Sequence, residues 1–221
     1  SVPMSPVAQS EMSPLMHGGK PKININNAIL SELDKLEAKL GVPALSNRIQ
    51  SSRPYAKVDE LVAKNVITQA QFDQVKEMVT IEDIKLTGEA KDVDYMTKLG
   101  LMKGHLLVAQ ELLDLQKPDQ AEPHIGHPGA KDANKVGTEF KASVQAVDGA
   151  IAALPDTQRT SPEFVLQVIN GLLDTANSEY TASIADGKII QAIEYQDSRG
   201  FVIYANQLYK AIATQMSKDK A

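Results

Sequence analysis

Residues 22–80 read KININNAILSELDKLEAKLGVPALSNRIQSSRPYAKVDELVAKNVITQAQFDQVKEMVT, and the spacing of apolar residues in this stretch decides the fold. Ile29, Leu33, Leu36 and Leu40 share one helical face, with Asn26 or Asn27 as the expected cap. Gly41-Val42-Pro43 turns the chain, and Pro43 suits the first turn of a second helix that ends near Ser51. Arg53-Pro54-Tyr55 breaks that helix, and Val58, Leu61 and Val62 mark a third. Thr68 and Gln71 form a capping-box pattern that opens a fourth, with Phe72, Val75 and Val79 inward. The stretch therefore predicts a small domain of four short helices in two hairpins.

On one side of it lies residues 1–21, an arm with four prolines and no helical period. The arm reads as the flexible start of a mature exported protein, with no leader visible before Ser1. On the other side, residues 81–91 are a linker, and residues 92–217 carry long amphipathic patterns. Tyr95, Met96, Leu99, Met102, Leu106, Ala109 and Leu113 form one stripe. Lys117-Pro118 ends it, and residues 120–129 are expected to be a Pro/Gly/His-rich link. Val136, Phe140, Val144, Val147 and Ile151 form the next stripe, within 132–154. Thr160-Ser161-Pro162-Glu163 starts a helix to about Ala185, and a last helix is expected from about Lys188 to Met216. The expected fold is all-α, a double helix-hairpin-helix domain followed by an antiparallel four-helix bundle. Gly171 and Gly200 fall mid-helix, where glycine costs about 1 kcal/mol and signals close helix contact.

Ile23-Asn24-Ile25-Asn26-Asn27-Ala28, Pro43-Ala44, Ile49, Arg53-Pro54-Tyr55, Val58-Asp59-Glu60-Leu61 and Ile67-Thr68 occur in an order that resembles one known domain. It is the helix-hairpin-helix domain shared by bacterial competence DNA receptors and the small extrinsic protein of cyanobacterial photosystem II. DNA-binding members of that family use a Gly-hydrophobic-Gly turn, so that backbone N–H groups reach a phosphate at a helix N-terminus. Here Val42 stands where the second glycine would be, and Lys64-Asn65-Val66-Ile67-Thr68 has no glycine. Eight Lys/Arg against seven Asp/Glu in residues 22–80 give no cationic face for counterion release. The resemblance then implies protein docking in the periplasm or a thylakoid lumen, and counts against nucleic acid as a partner.

Four histidines supply the metal chemistry of the sequence. His105 sits at the edge of the first bundle stripe, and His124 and His127 lie in Glu122-Pro123-His124-Ile125-Gly126-His127-Pro128. If the link folds back, these three imidazoles suit zinc, copper or a haem iron. The competing expectation is one half-buried histidine bonded to backbone, with two loop histidines beside prolines. In the arm, Met12, Met16 and His17 are soft donors of the kind that favours copper(I). Glu194 and Asp197 share a helix face and form a weaker pair of metal ligands; a solvated face with one ion pair is expected there.

Residues 89–216 also resemble, loosely, the exported imelysin-type helical bundles, which include iron-uptake components. The shared features are amphipathic helices, His105 near a helix centre and Glu194-Tyr195-Gln196-Asp197 on a late helix. The Gly-x-His-x-x-Glu motif of that family is absent, as is the Glu-x-x-His repeat of di-iron bundles.

The 221 residues carry a net charge of -5, which offers no general attraction to nucleic acid or anionic membrane. No run approaches the roughly 18 apolar residues that span a bilayer. Zero cysteines exclude disulfides and thiolate sites, and no nucleophile elbow, phosphate loop or dinucleotide fingerprint appears. The sequence thus predicts an extracytoplasmic, non-enzymatic binding or assembly protein that docks through residues 22–80. The alternative is a bundle that handles copper, iron, zinc or haem through its histidines, and the second alternative is DNA binding.

Overall fold

The computed structural model describes residues 15–17, 20–83, 85–125 and 133–219. The chain is all-α and divides into two compact units, 1–85 and 86–221. No helix among the described residues is long and apolar enough to cross a membrane.

In the first unit the short strands β1 (Met16–His17) and β2 (Lys20–Pro21) pair antiparallel. Strand β3 (Ile23–Asn24) pairs in parallel with β4 (Val79–Thr80) and closes the unit end to end. Between them run helices α1 (Leu30–Leu40), α2 (Leu45–Ser51), α3 (Glu60–Ala63) and α4 (Gln69–Val75). Ile25, Leu33, Leu36, Leu45, Ile49, Leu61 and Val75 are buried at its centre.

Helix α1 begins later than Asn26 because the Asn26 amide is used elsewhere. It accepts from the Tyr55 N–H at 2.7 Å and donates to the Tyr55 carbonyl at 2.9 Å, pinning the Arg53–Tyr55 break to the start of the unit. Pro43 lies outside α2, whose N-cap residue is Ala44 with φ 60. The capping box at α4 forms as its sequence requires, Gln71 N–H to Thr68 Oγ1 and Thr68 N–H to Gln71 Oε1. The hairpin cations are bonded to carbonyls of the same unit. Arg48 donates to Val66 O, Arg53 to Ile25 O and Ala28 O, and Lys64 to Ser52 O and Pro54 O.

The second unit contains four long helices, α5 (Gly88–Asp114), α7 (Ala133–Ala152), α9 (Pro162–Ser183) and α10 (Ala192–Asp219). Two shorter ones, α6 (Pro118–Ile125) and α8 (Asp156–Arg159), lie between them. Helix α5 packs against α6, α7, α9 and α10, while α9 and α10 form the most extensive pair. Strands β5 (Ile184–Ala185) and β6 (Lys188–Ile189) join that pair through Asp186-Gly187, both at positive φ, so α10 starts after Lys188. Residues 118–125 are helical where a link was expected. Pro118 opens α6 at the position where its missing N–H is harmless, and Pro123 is carried within the helix. Ser161 caps α9 by accepting from the Phe164 N–H.

Glycine sets how closely the bundle helices approach. A Cβ at Gly200 on α10 would overlap the Gly104 carbonyl oxygen of α5 and lie 2.8 Å from Val108 Cγ2. A Cβ at Gly104 would lie 2.6 Å from Phe201 Cδ1 and 3.0 Å from the Gly200 carbonyl carbon. The two backbones therefore touch, and neither helix can carry a side chain at the crossing. At Gly171 the neighbour is Thr97 Cγ2, at 2.8 Å from the added atom.

Gly200→Ala should destabilise the chain by about 1–3 kcal/mol, because overpacking exceeds the gain in helix propensity. Gly149→Ala, with nothing within 4 Å of the new atom, should stabilise by about 0.5–1 kcal/mol. Urea unfolding of both variants checks the contrast, and equal gains would mean that α5 and α10 are not in backbone contact.

Candidate metal centre

The crossing of α5 and α10 places chemistry beside it. His105 follows Gly104 directly, and Gln196 and Asp197 lie one helical turn before Gly200. Helix α6 is seated against α5 through the fully buried Ala121, in a cluster with Val108, Ala109, Leu112 and Val136. One turn further along α6, His124 turns inward.

The three helices deliver His105, His124 and Asp197 to one point. Asp197 Oδ1 lies 2.9 Å from His105 Nδ1 and 2.7 Å from His124 Nδ1. One ligand atom from each residue lies within 4.8 Å of the other two. The His124 and Asp197 side chains are 0% and 2% exposed, and that of His105 is 14% exposed. Phe201 meets the His105 ring edge-on at 5.2 Å between centroids and forms the apolar wall.

A carboxylate at this depth carries a large desolvation cost unless its oxygens are bonded. Burial pushes the Asp197 carboxyl up, but His105 and then His124, by charge and hydrogen bonding, outweigh it and hold the group at about 2. The ionised form is therefore the form that the fold maintains. On the far edge of the His124 ring, Nε2 lies 2.8 Å from Gln196 Oε1.

The donor set that the structure assembles differs from the one expected. His105 and His124 come together, but the third member is Asp197, and His127 lies outside the described residues. One part of the competing expectation is corrected: His124 is not a loop histidine but a buried helical residue bonded to two side chains. The solvated acidic face is also corrected, since Asp197 is 2% and Glu194 8% exposed. Glu194 is not grouped with the three donors. Arg199 pairs with Glu111, at 2.6 and 2.9 Å, and not with either carboxylate. Met12 lies outside the described residues, while Met16 and the exposed His17 form β1 of the first unit. Gln196 was missed; its signal was its place beside an acidic residue on a helix that a glycine marks as buried.

Residues 155–221 match the iron permease-associated 4-helix bundle domain. The match includes α8, α9 and α10 with Gln196 and Asp197, and leaves His105 and His124 outside it. It supports the bundle, and it is neither the helix-hairpin-helix family nor the imelysin-type family that the sequence resembles. No curated protein and no solved structure matches the chain.

The Asp197 pairing has a definite pH dependence. Its folded value lies below its unfolded one, so it contributes stability above about pH 4 and loses it as the pH falls towards 2. Asp197→Asn should lower stability at pH 7 by about 1.5–3 kcal/mol, the range for hydrogen bonds to charged groups. The difference from the unsubstituted chain should shrink below pH 4, which chemical denaturation at several pH values would record.

Proposed function

We propose that this chain is a non-enzymatic iron-handling protein whose bundle binds a divalent transition metal between His105, His124 and Asp197. The observation that carries the reading is the convergence of two imidazoles and one ionised carboxylate, from three helices, in a buried place. This ligand set suits iron(II) and also zinc. Donor atoms 2.7–2.9 Å apart are near the spacing of about 3 Å that two ligands at about 2.1 Å from one ion take at right angles. Copper(I) is less well served, because a carboxylate is a hard donor. Haem is poorly served as well, since the Asp197 oxygen, 2.9 and 2.7 Å from the two Nδ1 atoms, stands where a macrocycle would need both imidazoles to itself.

The likeness of residues 155–221 to an iron permease-associated domain supports iron as the cargo and a membrane transporter as the neighbour. An extracytoplasmic place, in the periplasm, agrees with that neighbour. Docking is the second part of the reading, and one observation moves it from the hairpins to the bundle. Leu166, Leu173 and Tyr180 recur every seven residues on α9, as do Val202 and Tyr209 on α10, all 43–52% exposed. Single exposed apolar residues are ordinary, but an aligned row within the matched segment marks a contact face. DNA binding is not proposed: the turns lack the glycine pattern, and Arg48, Arg53 and Lys64 are bonded to carbonyls.

Anaerobic loading with iron(II), followed by desalting and metal analysis, should give one ion per chain. His105→Ala and His124→Ala should each lower the affinity at least about tenfold, and an unsubstituted chain that retains no metal would refute the proposal. For docking, Leu173→Glu combined with Val202→Glu should keep metal binding while abolishing cross-linking to a permease in isolated membranes. Undiminished cross-linking would place the contact face elsewhere.

A further inference from the structure

We infer that Gln196 is a positioning residue that holds His124 as the Nε2–H imidazole and so makes Nδ1 the metal-binding atom. This rests on the metal reading above and deepens it, because it names which nitrogen binds and what selects it. Gln196 and Asp197 are consecutive on α10 and grip opposite edges of one ring. Gln196 Oε1 lies 2.8 Å from Nε2, and Asp197 Oδ1 lies 2.7 Å from Nδ1. A neutral imidazole carries one proton, and the nitrogen without it is the one that can ligate.

The two edges are not equivalent. Nδ1 faces the Asp197 oxygen that His105 Nδ1 also approaches, so it is the edge that belongs to the donor cluster. Nε2 faces away from that oxygen, towards a part-buried amide. With Oε1 turned to the ring, the amide accepts the Nε2 proton, so an ion takes Nδ1 by displacing the proton that otherwise bonds Nδ1 to Asp197. Were the NH2 group turned to the ring instead, it would donate to Nε2 and leave the ring's only proton on Nδ1, where a neutral imidazole holds it against an ion. The carbonyl-inward orientation of Gln196 is therefore the one that permits binding. Partners on the second nitrogen of a ligating histidine commonly change metal affinity 10–100-fold.

The two substitutions that separate this role from a merely structural one are Gln196→Leu and Gln196→Glu. Leucine removes the acceptor, whereas glutamate can only accept. Zinc(II) is the diamagnetic probe, with affinity measured by chelator competition and the imidazole nitrogens followed by ¹⁵N NMR in the zinc-loaded protein. In the unsubstituted chain, His124 should bind zinc through Nδ1 and keep a protonated Nε2. Gln196→Leu should bind zinc about 10–100-fold more weakly, and Gln196→Glu should restore the affinity. Zinc on Nε2 of His124 would overturn the inference even if the leucine variant failed to fold. So would unchanged zinc affinity in Gln196→Leu, or an equal loss in both variants. A His124→Ala chain that binds zinc as well as the unsubstituted one would instead overturn the metal reading itself. Loss in His124→Ala with none in Gln196→Leu would overturn only the role of Gln196.

Discussion

The structure of the second unit depends on one buried carboxylate. Asp197 is 2% exposed, and among the described residues the imidazoles of His105 and His124 are what make its ionised form tolerable at that depth. Those imidazoles come from two other helices, so the carboxylate ties α5, α6 and α10 into one arrangement. The crossing that allows it is equally specific. Gly104 and Gly200 let α5 and α10 touch backbone to backbone, and His105 and Asp197 lie within a turn of that contact. A bundle with side chains at the crossing would hold the helices apart and separate the three groups.

Much of the fold was legible in the sequence because it follows from local periodicity. The stripe from Tyr95 to Leu113 specifies one amphipathic helix, although Tyr95 itself is exposed, and the Thr68–Gln71 and Ser161 caps fix two helix starts. The failures share a physical cause, which is tertiary context overriding local composition. Pro118, Pro123 and two nearby histidines make residues 118–125 look like a link. Yet Pro118 needs no N–H partner at the start of a helix, and Ala121 buries the helix against α5. Asp197 looked solvated because Arg199 and Glu194 surround it in the chain. Arg199 in fact reaches Glu111, and the true partners of Asp197 lie 73 and 92 residues earlier in the sequence, at His124 and His105. Gly200 was the one local clue to burial there.

The same contrast separates the two units in what they can do. The first keeps the helical hairpins but bonds Arg48, Arg53 and Lys64 to its own carbonyls and turns the chain at Gly41 and Asn65. Gly41 ends α1 in the left-handed region and so acts as a helix stop. The second unit concentrates buried polar chemistry at one point and also carries an exposed apolar row on α9 and α10. The proposed metal capture and partner docking would then use different faces of α10. Here α10 turns Asp197 inward, while Val202 and Tyr209 face outward.

The most direct test of the account is anomalous diffraction at the iron absorption edge from crystals loaded with iron(II). One peak is expected, lying between His105 Nδ1, His124 Nδ1 and an Asp197 carboxylate oxygen. A peak at another place, or none within bonding distance of Asp197, would contradict it.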